Sequence, residues 1–265
     1  MSSHLIRKIV ILGAGRLATN FSMAIRKKGC EIVEVYNRTE SRGKELARRL
    51  SAKYIPEPEL LTKDADLYIL MVSDDAIAEV LTHLRLGDRL VVHTSGSVEM
   101  NILAQVSTRF GVIYPPQTFT KLPLVNFRSV PLCIEASSVK TGELLSAFAA
   151  SLSDRIYRID SDQRKILHLS AVFANNFTNF MYVISQDLLR ENGMDFGMLE
   201  PIIRLTAARA SSGNAAEMQT GPAVRGDRDT IREHLALLSG HPEYKEIYEL
   251  ITKRIIQRGK THDKL

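Results

Sequence analysis

The sequence predicts an α/β protein in which a doubly wound, mostly parallel sheet is followed by an all-helical C-terminal domain. Two observations predict this class. Apolar, β-branched segments alternate with helical patterns through residue 159, with short connections between them, and only helical periodicity follows. We therefore expect a sheet domain over residues 1–159 and a helical domain over residues 160–265.

The first predicted strand leads directly into a glycine-rich turn. Residues 8–12 read Lys-Ile-Val-Ile-Leu, and a Gly-x-Gly-x-x-Ala turn and a helical pattern follow. This spacing is typical of the dinucleotide-binding Rossmann unit, in which Gly13 permits the turn and Gly15 lets a pyrophosphate approach the backbone. We predict cofactor contacts at Gly13, Ala14, Gly15, Arg16 and Leu17. The alternative is an ordinary strand-to-helix turn.

The end of the second predicted strand, residues 31–36, indicates which dinucleotide binds. NAD-binding units usually carry an acidic residue here, whose carboxylate holds the ribose 2′-hydroxyl. This chain has Asn37, Arg38 and Thr39 instead. Because a guanidinium can grip a phosphate through two charge-assisted hydrogen bonds, we predict that these three residues bind NADP. The alternative is a solvated turn that caps the helix predicted over residues 41–50.

Later strand patterns end in polar residues. A short strand is predicted over residues 53–55. The apolar segment 66–72 ends at Ser73, the segment 89–93 runs into Ser95, and further strands are predicted over 112–114 and 130–134.

Ligands of open α/β sheets bind at the carboxyl ends of the strands. This rule places Ser73, Asp74, His93, Ser95 and Ser97 on the rim of the crevice. We predict cofactor contacts at Ser73 and Ser95. The alternatives are helix capping for the serines and Asp74, and a satisfied strand-end histidine for His93.

The helical domain offers the candidate catalytic residues. A helix of about thirty residues is predicted over 161–191, and further helices over about 198–211, 229–238 and 242–257. At α-helical spacing His168, Asn175 and Asn176 lie on nearly one face. We predict that His168 donates a proton or orients the substrate, and that one of the two amides holds its polar group. Alternatively, this row faces water, a neighbouring helix or another subunit.

Composition is typical of a globular enzyme of the cytoplasm. The 265 residues are 45% hydrophobic and 25% charged. No apolar segment approaches the roughly 20 residues of a membrane span, and no signal-peptide pattern opens the sequence. The two cysteines, Cys30 and Cys133, are expected to be buried thiols, and we expect no metal site.

The net charge is concentrated in one segment. Five Lys or Arg residues and one Asp lie from Lys253 onward, so this segment supplies +4 of the net +5. A basic segment after a helix is usually a solvated end. We therefore expect no nucleic-acid partner.

Several local sequences resemble a known family. The Rossmann turn and helical C-terminal domain are similar to the superfamily of pyrroline-5-carboxylate reductase, ketopantoate reductase and the 6-phosphogluconate and β-hydroxyacid dehydrogenases. The closer resemblance is to NADP oxidoreductases that carry a C-terminal domain of unknown function, number 2520. The matching sequences are residues 93–97, 114–119, 168–176 and 220–227.

Two positions depart from these relatives. Tyr114 stands before Pro where the family would have His, which puts a proton-transfer role of that position in doubt. Lys165 is followed four residues later by Leu169 instead of Asn. The chemistry of the β-hydroxyacid dehydrogenases therefore does not transfer to this chain.

Together these patterns predict an NADP-dependent oxidoreductase that reduces a small C=O or C=N group by hydride transfer. One alternative is a non-catalytic NADP-binding sensor or regulatory protein, and another is electron exchange between NADP and a deazaflavin. The expected partners are a small-molecule substrate and a second copy of the chain. A helical domain of about 100 residues buries little apolar surface alone, so we expect a homodimer built on the C-terminal helices.

Overall fold

The structure is a computed structural model that describes residues 6–213 and 215–262, the last three of these by backbone alone. The chain divides into two compact units, the first ending at Asn175 and the second beginning at Asn176. The division therefore falls inside the helical segment predicted over 161–191. The predicted domain boundary after residue 159 lies before this segment.

An eight-stranded sheet forms the centre of the first unit. In the strand order β3-β2-β1-β4-β5-β6-β7-β8, every neighbouring pair is parallel except β6 and β7, so β7 and β8 run opposite to the other six strands. This confirms the predicted mostly parallel sheet. The strands are β1 Lys8–Leu12, β2 Glu31–Tyr36, β3 Lys53–Ile55, β4 Leu67–Leu70, β5 Gly87–His93, β6 Ser107–Tyr114, β7 Leu132–Ala136 and β8 Ile156–Arg158.

The last strand, β8, was not predicted. It has three residues, none of them buried, so it presents no apolar pattern. Its place is fixed by pairing with β7, a segment about twenty residues earlier in the chain, so the local sequence alone does not define it.

Both faces of the sheet are covered by helices. Along β1, Ile9 and Ile11 belong to one buried cluster, while Val10 and Leu12 belong to another. This alternation follows from the two-residue period of a strand and explains why the whole segment is apolar. The helices of the first unit are α1 Arg16–Lys27, α2 Glu40–Leu50, α3 Asp74–Thr82, α4 Val139–Leu152 and α5 Ser161–Ala171.

The predicted helix over 161–191 contains an interruption. After α5, residues Val172–Phe177 form a π-helix, and α6 then spans Thr178–Glu191. A π-helix has more residues per turn than an α-helix, so the spacing that aligned His168 with Asn175 does not hold. The predicted start is confirmed, because Asp160 and Gln163 form a capping box.

The second unit consists of helices joined by turns in the residues that the structure describes. After α6 come α7 Glu200–Ser212, α8 Pro222–Arg225, α9 Arg228–Leu237 and α10 Pro242–His262. Within the described residues, no helix has the length and apolar character needed to cross a membrane.

Large apolar side chains are exposed on several helices of this unit. The most exposed are Met198, Ile202, Leu237 and Leu250, each more than half accessible. Single exposed apolar residues are ordinary, whereas a set of this size on one small unit is unusual.

Candidate functional site

A groove of about 470 Å³ lies at the carboxyl ends of β1, β2 and β4. We call it the cofactor groove. Its lining includes seven predicted cofactor residues and, among those not predicted, two charged residues that matter below. These are Gly13, Ala14, Gly15, Asn37, Arg38, Thr39 and Ser73, together with Arg42 and Glu79.

The two glycines of the first turn, Gly13 and Gly15, have different roles in the structure. Gly13 has a φ of +119°, and a Cβ there would lie 2.3 Å from the carbonyl oxygen of Met71. At Gly15 a Cβ would meet no atom within 4 Å. Gly13 is therefore required by the fold itself, whereas Gly15 leaves open space beside the first turn of α1. The residues present fit a pyrophosphate, since this space adjoins N–H groups that have no partner within the helix.

The side chain of Asn37 connects the two loops that line the groove. Its Oδ1 accepts a hydrogen bond from the backbone N–H of Ala14 at 3.0 Å, and its Nδ2 donates to the carbonyl of Thr39 at 2.8 Å. Both polar atoms of the amide are thus engaged with backbone. Asn37 holds the shape of the groove and has no free carboxylate that would repel a phosphate.

The basic side chains at this end of the groove are exposed. Arg38 has 80% of its side chain accessible and lies 4.0 Å from a carboxylate oxygen of Glu79. Arg42, in the first turn of α2, lines the same groove. Sequence reasoning missed Arg42, although its position four residues after Arg38 could have suggested it.

Three predicted cofactor residues lie outside the lining of the groove. Arg16 and Leu17 belong to the first turn of α1, where Leu17 packs against the core. Ser95 is buried, and its hydroxyl accepts hydrogen bonds from the backbone N–H groups of Ser97 and Val98. The hydroxyl thus closes the turn after β5 and caps no helix, because the next helical turn, Met100–Gln105, begins after Glu99.

A second group of residues lies at the carboxyl ends of β5 and β6. We call Gly96, Tyr114, Glu135, Arg164 and His168 the histidine cluster. The hydroxyl of Tyr114, the last residue of β6, lies 3.0 Å from Nδ1 of His168. The two rings meet edge to face with centroids 5.9 Å apart. A Cβ at residue 96 would lie 2.7 Å from Cγ and Nδ1 of the imidazole, so the glycine lets the backbone approach the ring.

Arg164 holds this part of the chain together. Its side chain is fully buried, and its guanidinium donates to the carbonyls of Ser95 and Val98 at 3.0 and 2.8 Å. It also donates to Glu135 at 3.0 Å and to the hydroxyl of Ser161 at 2.9 Å. The loop after β5 is therefore fixed to α5 and β7. Sequence reasoning missed Arg164, although it precedes His168 by four residues on one helix.

His93 is not a comparable candidate for proton transfer. Its side chain is fully buried at the end of β5, and its Nδ1 accepts from the backbone N–H of Ser95. Burial first, and the neighbouring Arg164 cation second, lower the pKa of His93 to about 4. His93 is therefore neutral at pH 7 and enclosed by protein.

The two predicted amides have separate surroundings. Asn175, at the end of the first unit, donates from Nδ2 to the hydroxyl of Thr118 at 2.9 Å. Asn176 is exposed and begins the second unit. The structure thus brings His168 together with Tyr114 rather than with Asn175. The catalytic roles of His168, Asn175 and Asn176 remain predictions.

Comparison with protein-family models gives two matches. Residues 8–96 match the NADP oxidoreductase, coenzyme F420-dependent, family. Residues 130–255 match the domain of unknown function DUF2520. Comparison with curated proteins gives no match.

Solved structures match along the whole chain. A Bacteroides fragilis protein described as a "putative NADP oxidoreductase" is 40% identical, with a TM-score of 0.89, and the alignment covers 97% of this chain and 100% of that one. An imine reductase from Myxococcus stipitatus in complex with NADP+ is 17% identical, with a TM-score of 0.68 and coverage of 96% and 94%. Pyrroline-5-carboxylate reductase from Streptococcus pyogenes is 17% identical, with a TM-score of 0.59 and coverage of 96% and 98%.

The last two similarities show the fold alone, whereas the first shows the family. The resemblance inferred from the local sequences is therefore confirmed, and the cofactor is NADP, as predicted. The chain belongs to the NADP oxidoreductases that combine a Rossmann-type nucleotide-binding domain with DUF2520.

Proposed function

We propose that this oxidoreductase reduces a small C=O or C=N group with NADPH and that His168 acts on the substrate. The observation that carries the proposal is the place of His168. Its ring lies against Gly96 and Tyr114, at the same edge of the sheet as the cofactor groove. The similarity in fold to an imine reductase supports a substrate with a C=N group.

The residues of the cofactor groove would hold NADP as follows. The open space at Gly15 and the first N–H groups of α1 receive the pyrophosphate. Arg38, Thr39 and Arg42 receive the 2′-phosphate, because two exposed guanidinium groups and a hydroxyl lie there with Asn37 in place of an acid. When bound, NADPH supplies the hydride.

The protein must stabilise charge that develops on the substrate. As the hydride reaches carbon, the electron pair of the C=O or C=N bond moves to oxygen or nitrogen, which then takes up a proton. A hydrogen-bond donor at that atom lowers the barrier. His168 can supply this donor, since its Nε2 makes no hydrogen bond within the described residues. It acts there as proton donor or as substrate orienter.

The test is turnover of NADPH with a panel of small aldehydes, ketones and cyclic imines. In His168→Ala we expect kcat to fall by about a hundredfold or more, while the Kd for NADPH stays unchanged. A matched control is His234→Gln, because His234 bonds to Tyr248 within the second unit. Unchanged turnover in His168→Ala would remove His168 from the mechanism. Oxidation of NADPH by a deazaflavin alone would favour the electron-exchange alternative.

We further propose that two copies of the chain associate through the C-terminal helices. The exposed apolar side chains of the second unit, Ile202, Leu205, Leu250 and Ile251 among them, support this proposal. Light scattering at micromolar concentration should give the mass of a dimer, and Ile202→Glu should lower it toward that of a monomer. A monomeric wild-type protein at that concentration contradicts the proposal.

A further inference from the structure

We infer that Tyr114 is a positioning residue for His168, whose neutral imidazole it holds with the hydrogen on Nε2. The inference rests on the proposed role of His168 and assigns a role to the position at which this sequence departs from the expected His-Pro. It also selects between the two roles of His168. The tautomer makes the imidazole a neutral hydrogen-bond donor that orients the substrate, and the proton that the reduced oxygen or nitrogen takes up then comes from solvent water.

The first argument is the direction of the hydrogen bond between the two residues. The Tyr114 hydroxyl and Nδ1 of His168 are 3.0 Å apart, and either atom could donate. Tyr114 is 6% exposed, and burial raises its pKa to about 12, so the phenol keeps its proton at pH 7. Nδ1 is the hydroxyl's one hydrogen-bond partner in the described residues. If the phenol accepted, its own proton would lack a partner in a buried site, so the phenol donates.

The second argument is the enclosure of the Nδ1 side of the ring. The backbone at Gly96 approaches Cβ, Cγ and Nδ1, the atoms on the same side as the hydroxyl of Tyr114. The edge-to-face contact with the phenol ring, at an interplanar angle of 79°, restricts rotation of the imidazole. With Nδ1 occupied as an acceptor, the neutral ring must carry its hydrogen on Nε2.

This arrangement specifies what the substrate must present at its reacting bond. An Nε2–H group needs an acceptor, which a carbonyl oxygen or the lone pair of an unprotonated imine nitrogen provides. A fully substituted iminium nitrogen has no lone pair and cannot accept. We therefore expect ketones, aldehydes or neutral imines to be reduced in preference to N,N-dialkyl iminium ions.

The deciding experiment is a measurement of the His168 tautomer, which requires no substrate. In the NADP+ complex at pH 8.5, the ¹⁵N shifts of His168 should show a hydrogen on Nε2 and an unprotonated, hydrogen-bonded Nδ1. In Tyr114→Phe, which keeps the ring and loses the hydroxyl, Nδ1 should lose that bond and the neutral tautomers should become mixed. A hydrogen on Nδ1 in the wild-type protein would overturn the inference, even if Tyr114→Phe failed to fold.

Kinetics supply an independent second measurement. Tyr114→Phe should lower kcat about tenfold, the size of one hydrogen bond, with KM and the Kd for NADPH unchanged. In the His168→Ala background the same change should have no further effect, because Tyr114 acts through His168. Tyr157→Phe, half exposed on β8, is the matched control.

An equal loss from Tyr114→Phe in both backgrounds would contradict the inference. If His168→Ala leaves turnover unchanged while the NMR result is as expected, the proposed catalytic role fails and the tautomer assignment stands. The two failures are thus distinguishable.

Discussion

The cofactor groove and the histidine cluster lie at the same edge of the sheet but are built in different ways. The groove is lined by short runs of consecutive residues after β1, β2 and β4, with exposed charges such as Arg38. The cluster brings together residues of α5, β6 and β7 around a guanidinium that is fully buried. The exposed charges of the groove are therefore available to a ligand, whereas the buried guanidinium of the cluster directs both of its terminal NH2 groups to partners within the protein. Removal of a charged side chain should weaken ligand binding at the groove and lower stability at the cluster.

The largest expected effect is at Arg164. Arg164→Met would leave Glu135, whose side chain is 13% exposed, and the carbonyls of Ser95 and Val98 without their partner. Breaking a buried pair in this way costs about 3–5 kcal/mol of the free energy of unfolding. Urea unfolding followed by circular dichroism measures it. The control is Arg128→Met, since Arg128 forms an exposed pair with Asp154 and should cost no more than about 1 kcal/mol. Equal losses of the free energy of unfolding in the two variants would refute the contrast between the buried and the exposed ion pair.

The two glycines of the first turn test whether residues within the groove also divide into those that affect stability and those that affect ligand binding. Gly13→Ala should lower the free energy of unfolding by about 2 kcal/mol or more, because of the positive φ and the contact with Met71. Gly15→Ala should change it by no more than about 0.5 kcal/mol, since the added Cβ meets no atom. It should instead weaken NADPH binding at least about tenfold, which calorimetry can measure. Loss of stability in Gly15→Ala would show that the fold, and not a ligand, requires glycine at this position.

The preference for NADPH tests the assignment of the 2′-phosphate site. Arg38→Ala should remove roughly 1.5–3 kcal/mol of NADPH binding, or about ten- to a hundredfold, and leave the Kd for NADH unchanged. Arg48→Ala is the control, because Arg48 lies on α2 outside the lining of the groove. Equal affinity of the wild-type protein for NADPH and NADH would exclude this role of Arg38.

The smallest expected effect is at Glu79. This carboxylate lies 4.0 Å from Arg38 and competes with a 2′-phosphate for the same guanidinium. Glu79→Gln should therefore tighten NADPH binding about two- to fivefold, the scale of an exposed ion pair. The gain should diminish at high salt, which screens exposed charges. Glu45→Gln, on α2 outside the lining, should leave binding unchanged, and weaker binding in Glu79→Gln would contradict the competition.

Prediction from sequence succeeded where a pattern is contiguous. The strand, glycine turn and helix over residues 8–27 were recognised because the apolar period, the two glycines and the helical pattern follow one another without interruption. The strand β8 and the π-helix at Val172–Phe177 were missed. Neither element has a local signal in the sequence. The strand β8 is defined by its pairing with β7, and the π-helix is invisible to a periodicity that assumes α-helical geometry.

The sequence by itself determined the fold class, the glycine-rich turn after β1 and the charge at the Arg38 end of the groove. Those features depend on backbone conformation and charge within a few consecutive residues. The tertiary structure alone decided that Tyr114 meets His168, 54 residues away, and that Arg164 holds the loop at Ser95, 69 residues away. Such contacts depend on how separate elements pack, and no local pattern of residues encodes that packing.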